Sequence, residues 1–356
     1  MSAKIAEAML LTSRQQAILK AIIEDYILTA EPVGSRLLAK KFGFGLSPAT
    51  LRNEMADLEE GGLLRQPHTS AGRIPSDAGY RIFVDVLMER PTQVPAEEIG
   101  ALTRFSFDQR DLYDILQQTA KVTALLAGCT AIVRAPRQQA ARVQLLQLVS
   151  LGADEAMVII VTDRGGTLHR RVQLGHPLSE DELVRLSGFL NHHLRGQPLD
   201  GVTGRLIVEL MTDMERYASV LQQLLERITA PDAGSERVFV ANASYLAEQP
   251  EFGELDKIRS LLSLLERENA LAELLTHVSS QQGEAVRVAI GREIPLVDLQ
   301  ACSVVMAPYA VGGQVFGEIG VMGPTRLGYP RAIAAVEAMA RHLSHTLTRV
   351  FGYREP

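Results

Sequence analysis

Between Thr12 and Arg81 the sequence carries start and stop signals for three helices, a tight turn and a short hairpin, and no other stretch restricts the fold as strongly. Thr12 followed by Gln15 is a capping box, in which the hydroxyl takes an orphan amide and the glutamine answers, placed just ahead of an apolar-periodic run. Ile18, Ile22 and Tyr26, with Leu19, Ile23 and Ile27, recur at helical spacing and form one wide buried face. A first helix is therefore predicted to residue 28, and Glu31-Pro32 breaks it. A second helix is predicted over 35–42, with Leu37, Leu38 and Phe42 inward and Arg36, Lys40 and Lys41 outward, and residues 43–46 form the turn. Ser47-Pro48 opens a third helix, since serine caps and a proline at the first helical position loses no needed amide. Gly61-Gly62 stops it, because glycine takes the left-handed conformation readily.

On the third helix Leu51, Met55 and Leu58 share the side that anchors it. The opposite side carries Ala49, Asn53 and Ala56, flanked by Thr50 and Arg52. Small and hydrogen-bonding side chains near a helix start can approach base edges in a major groove, whereas Glu54, Asp57, Glu59 and Glu60 on later turns would repel phosphate, so only the first two turns are expected to enter. Residues 63–66 read as a strand whose partner begins at Ile74. The intervening His68-Thr69-Ser70-Ala71-Gly72-Arg73 has no apolar body and ends in a cation, which suits a wing lying along a phosphate backbone or reaching into a minor groove. A merely solvated loop is the competing reading, and the capped third helix beside it favours the wing. The expected DNA-contacting residues are Ser35, Ser47, Ala49, Thr50, Arg52, Asn53, His68, Thr69, Ser70 and Arg73. Ser76 then caps a fourth helix over 77–89, whose Tyr80, Phe83, Val84 and Leu87 read as core or linker packing.

Residues 1–90 hold 11 Lys and Arg against 11 Asp and Glu, so the remainder supplies the whole net charge of -6. A neutral head draws little affinity from phosphate alone, and tight binding would need two heads acting together, which points to a dimer. At 356 residues the chain is long enough for two or three domains. Cys129 and Cys302 are two and far apart, which fits a reduced interior rather than a disulfide framework. No targeting segment and no apolar run of membrane-spanning length is read, so a soluble, cytoplasmic protein is expected.

Beyond a proline-bearing linker at 90–95 the sequence reads as mixed α/β. Helices are predicted over 111–126 and 179–194, and strands over 143–150, 156–162 and 168–174, with a turn at 163–166. Strands over 285–291, 302–310 and 314–322 precede a closing helix from Tyr329. Between these groups, 207–228 and 257–275 hold leucine stripes that include Leu221, Leu224, Leu225, Leu261, Leu262, Leu264 and Leu265. Such a stripe serves as intradomain core or as a surface that a second copy covers.

Catalytic signals are weak. Gly312 to Gly317 has the outline of a phosphate loop, but Glu318 and Ile319 stand where Lys and Ser or Thr are needed. The adjacent His192 and His193 diverge on a helix, and His342 with His345 has no acidic or thiol partner in sequence, so no metal or cofactor is expected. No triad or paired-acid spacing stands out, and no enzyme is read.

The runs 63–76, Glu31-Pro32-Val33-Gly34-Ser35 and Ser47-Pro48-Ala49-Thr50-Leu51-Arg52-Asn53-Glu54-Met55, together with Gln249-Pro250-Glu251-Phe252 and 312–326, resemble the heat-inducible transcription repressor HrcA family. The resemblance implies an α+β multidomain chain: a winged helix-turn-helix head at 1–90, a GAF-like sheet domain at 91–195 and 283–356, and an inserted helical dimerisation region at 196–282. It also implies a homodimer on an inverted-repeat operator ahead of chaperone genes, kept active by the GroEL chaperonin and released on heat stress. The alternative is a winged-helix regulator that senses a small molecule in its GAF-like domain.

Overall fold

The computed structural model describes residues 11–69, 71–89, 94–95, 112–135, 142–152, 154–162, 167–174, 177–198, 238–265, 267–280 and 286–350. In the head (residues 11–89), α1 (Ser13–Thr29), α2 (Ser35–Lys41) and α3 (Pro48–Glu60) pack around Ile18, Leu19, Ile22, Ile23, Leu38, Leu51, Met55 and Leu58. Both expected caps form: the Thr12 hydroxyl accepts from Gln15 N at 3.2 Å, and the Ser47 hydroxyl accepts from Thr50 N at 3.1 Å. Strands β1 (Leu64–Arg65) and β2 (Ile74–Pro75) pair antiparallel, and Val33 adds a bridge to Arg73, each amide donating to the other's carbonyl at 2.9 Å. Gly72 is required at this crossing, since a Cβ there would lie 2.4 Å from the Val33 carbonyl. One expectation fails: Leu37 is 44% exposed, because a seven-residue helix presents one row to the core, and that row carries Ser35 and Leu38. Helix α4 (Asp77–Ile82) continues into a π-helical turn at Phe83–Leu87.

The body is built on a five-stranded antiparallel sheet in the order β7-β3-β10-β9-β8. Its strands are β3 (Thr130–Arg134), β7 (Val238–Ala241), β8 (Arg287–Ile290), β9 (Cys302–Val311) and β10 (Gln314–Pro324). Helices α5 (Leu112–Ala127) and α10 (Tyr329–Val350) cover one face through Ala131, Val133, Val305, Ala307, Ile319 and Val321. Residues one step along the same strands, Ile132, Val304, Met306 and Met322, point the other way onto α8 (Leu255–Leu265) and α9 (Glu268–Ser280). Between β7 and α8 come a short α7 (Ser244–Ala247) and a 3-10 turn at Pro250–Phe252.

Strand β7 hydrogen-bonds directly to β3, so the chain leaves this sheet after β3 and rejoins it at β7. Leu261, Leu264 and Leu265 are buried against the sheet, so the intradomain reading of that stripe holds. Residues 207–228, with Leu221, Leu224 and Leu225, lie outside the described residues. Strands β4 (Val143–Ser150), β5 (Glu155–Thr162) and β6 (Thr167–Gln173), expected in the main sheet, instead form a three-stranded meander with α6 (Glu180–Leu194) and a core of their own. The reason is legible only in three dimensions: a four-residue β7 is too short to display a period, and a leucine stripe looks the same whether a sheet or a second copy covers it.

Candidate nucleic-acid interface

The exposed side of α3 begins where Ser47 caps it. Ser47, Ala49, Arg52, Asn53 and Ala56 are exposed and Thr50 is half-buried, its hydroxyl 2.9 Å from that of Ser47. The inward row of Leu51, Met55 and Leu58 is buried, so the helix is held from behind while its first two turns stay open. The start of α2, the exposed face of α3 and the hairpin loop meet at one cleft, lined by Ser35, Arg36, Arg52, Ala71, Gly72 and Arg73 among others.

The loop is ordered by a side chain that the motif reading did not single out. Gln66 donates from one amide nitrogen to the carbonyls of Thr69 and Ala71, both at 3.0 Å, and the Ala71 amide closes a turn onto His68 O at 2.9 Å. His68 and Thr69 consequently stand exposed at the tip, and Ser70 lies outside the described residues.

Two expected contacts are placed differently. Ser35 is 8% exposed at the start of α2, so it lies at the floor of the cleft rather than on its open rim. Arg73 Nε lies 2.8 Å from Glu59 Oε2, an ion contact without hydrogen-bond alignment, which ties the hairpin to α3 instead of leaving a loose cation at the tip. Arg14 donates from Nη1 to Glu54 Oε1 at 3.3 Å, a second ion pair onto α3. Two of the four acids expected to repel phosphate are thereby neutralised by the head's own cations. Arg36, Lys40, Arg52 and Arg65 are exposed and, among the described residues, have no ion-pair partner, so they are the cations left for an external anion. Neither Arg36 nor Arg65 is among the expected contacts: Arg36 reads only as an outward position on a short helix, and Arg65 only as part of the 63–76 run.

The comparisons with known proteins agree with the motifs. Residues 113–333 match the family model described as the HrcA protein C terminal domain. The chain is 39% identical to the heat-inducible transcription repressor HrcA of Pelotomaculum thermopropionicum over 96% of this chain and 98% of that one. It is 40% identical to the protein of the same name from Symbiobacterium thermophilum, over 96% and 100%. The chain belongs to the HrcA family. Membership makes it a transcription regulator of a heat-inducible repressor family. A crystal structure described as that of a hypothetical protein at 2.2 Å resolution shares the fold, with 24% identity, a TM-score of 0.60 and coverage of 96% of this chain and 99% of that one. Among the described residues no helix is long and apolar enough to cross a membrane, and no group of three His, Cys, Asp or Glu side chains converges as a metal site.

Proposed function

We propose that this HrcA-family chain is a repressor that binds an inverted-repeat operator as a homodimer, with a winged helix-turn-helix head reading the DNA and a GAF-like sheet domain carrying it. The observation that supports the reading best is the cleft where Arg52 on α3 faces Arg36 and the hairpin loop, beside the exposed Asn53 and Ala49. Small and polar side chains at the open start of a capped helix suit base edges, and unpaired arginines on the flanking elements suit phosphates. The segment between β3 and β7, at 135–237, is assigned the dimer contact, because the uncovered face of its sheet presents Leu145 and Val149 exposed and Met157, Ile159 and Val161 half-buried. Family membership further supports operators ahead of chaperone genes, a GroEL chaperonin that maintains activity, release on heat stress and a cytoplasmic location.

A band-shift assay on inverted-repeat DNA, with and without the chaperonin, tests this. Asn53→Ala and Arg52→Ala leave the fold intact, since both side chains point away from the helix anchor, and each is expected to cost about 1–3 kcal/mol of operator binding. Unchanged affinity in both variants would remove α3 from the groove.

A second reading rests on a different cleft, of about 460 Å³, between β9 and the later half of α10, lined by Ala307, Pro308, Ala310, Arg341, Ser344 and His345 among others. A small-molecule effector held there would raise the melting temperature, and binding to DNA would respond to the metabolite and not to the chaperonin.

A further inference from the structure

The body motifs at 249–252 and 323–326 touch none of the candidate DNA-contacting residues, yet they converge on the back of the head. Arg326, in the turn between β10 and α10, donates from Nε to Glu251 Oε1 at 2.5 Å and from Nη2 to Gln249 Oε1 at 2.8 Å and Glu251 Oε2 at 3.3 Å. Its remaining Nη1 reaches the head, donating to Ile27 O at 3.3 Å, a carbonyl in the last turn of α1. Such carbonyls lack partners inside their helix and carry the negative end of its dipole, so a guanidinium held there by two body side chains is well matched.

A second contact lies across the same junction. Arg81 of α4 donates from Nε to Glu293 Oε1 at 3.0 Å, pairs through Nη2 with the other Glu293 oxygen, and reaches Val288 O at 2.7 Å. The Arg292 amide returns a bond to Asp77 Oδ2 at 3.1 Å, and Gly291, at φ +54°, lets the backbone pass where a Cβ would sit 2.4 Å from Asp77 Cγ. Between the two arginines the rings of Tyr80 and Tyr329 meet with centroids 5.9 Å apart, inside one apolar cluster that runs from head to body. The Arg81 and Arg326 side chains are 13% and 12% exposed, so both pairs are shielded from the screening that weakens surface ion pairs.

We infer that Arg81 and Arg326 are positioning residues that lock the head to the body, so that the separation of the two recognition helices in a dimer is set by the body and not by a flexible tether. Bidentate guanidinium–carboxylate pairs fix orientation as well as distance, and two of them on either side of a ring contact leave no free rotation. The role in DNA spacing rests on the dimeric reading above; the lock itself does not.

The test uses full-length protein with spin labels on Lys40→Cys in the head and Val315→Cys in the body, both exposed, while the native Cys129 and Cys302 are buried and remain unlabelled. With the doubly labelled chain diluted into excess unlabelled protein so that distances within one protomer dominate, pulsed dipolar spectroscopy is expected to give one narrow head-to-body distance, broadened in Arg81→Ala/Arg326→Ala and kept narrow in Tyr80→Phe. The exchanged pair Arg81→Glu/Glu293→Arg separates loss of the lock from misfolding, because it is expected to restore the narrow distance in the Arg326 background. A narrow distance in the double alanine variant overturns the lock. For spacing, the probe is the duplex that wild-type protein recovers from a random pool, and the same duplex lengthened by about half a helical turn at its centre. Wild type is expected to lose roughly 100-fold on the lengthened duplex, the avidity of a second head, and the double variant to discriminate less than about 10-fold. Equal discrimination by both proteins overturns the positioning role. Should wild type recover no duplex, that role falls with the DNA reading, and the distance measurement still decides the lock.

Discussion

The two sheets of the body follow the same chemistry to different ends. The five-stranded sheet is covered on both faces, and β3 is buried at every position from Thr130 to Arg134. Among the described residues the three-stranded sheet is covered on one, and β5 alternates strictly between half-buried and buried along its length. Polar groups respond accordingly. In the main sheet Arg134 and Glu318, opposite each other on β3 and β10, form a buried ion pair, completed by Thr276 and Ser279 of α9. In the smaller sheet the polar anchor is neutral and lies at the helix contact, where Asn191 accepts from Leu146 N at 2.7 Å and donates to Leu146 O, while Ser187 accepts from Leu148 N at 2.9 Å. A face between two helical layers must satisfy every polar group internally, whereas an open face leaves water to do part of that work and leaves apolar side chains for a partner.

The sharpest break in this comparison comes from Glu318→Ala. It strands the Arg134 guanidinium without its carboxylate, and about 3–5 kcal/mol of stability should be lost. Urea unfolding followed separately through labels on β9 and β5 checks whether the loss stays in the main sheet; simultaneous unfolding would make the two sheets one cooperative unit.

The next effect concerns the open face. Leu145→Lys/Val149→Lys places charge on exposed positions, so circular dichroism should be unchanged while light scattering shows dissociation of the dimer and operator affinity falls roughly 100-fold. A full-length dimer unaffected by both lysines would move the contact elsewhere in the molecule.

The smallest effect is a pH dependence on the main sheet's covering helix. Burial, with the nearby His345 and Arg349 charges, holds the His342 imidazole below its ordinary range. The unfolded chain therefore takes up the proton first on acidification. The stability contributed by neutral His342 is complete above about pH 6.5 and is lost as pH falls below it. Melting temperatures between neutrality and mildly acidic pH should fall less in His342→Gln than in the parent, and parallel curves would remove His342 as the source.

Legibility in the sequence tracked how local each determinant is. The caps at Thr12, Ser47 and Ser76, the stop at Gly61-Gly62 and the strand at 143–150 are set by near neighbours in the chain, and each forms where the pattern places it. The exposed start of α3 was equally legible, because helical period alone separates Leu51, Met55 and Leu58 from Arg52 and Asn53. Arg73 was not, since its partner Glu59 is brought to it by the hairpin, and a cation at a loop end reads the same whether it is paired or free.

By itself the sequence determined the head's helices and turns, the mixed α/β character of the body and the family, all of which rest on near-neighbour spacing or motif identity. Only the tertiary structure decided which strands share a sheet, which leucine stripe is core, and how Arg81 and Arg326 tie the head to the body. Those are pairings between residues far apart in the chain: Val240 beside Ile132, Glu318 beside Arg134 and Glu293 beside Arg81. Each depends on the free energy of closing a long loop against the burial gained, a balance that no local window of sequence contains.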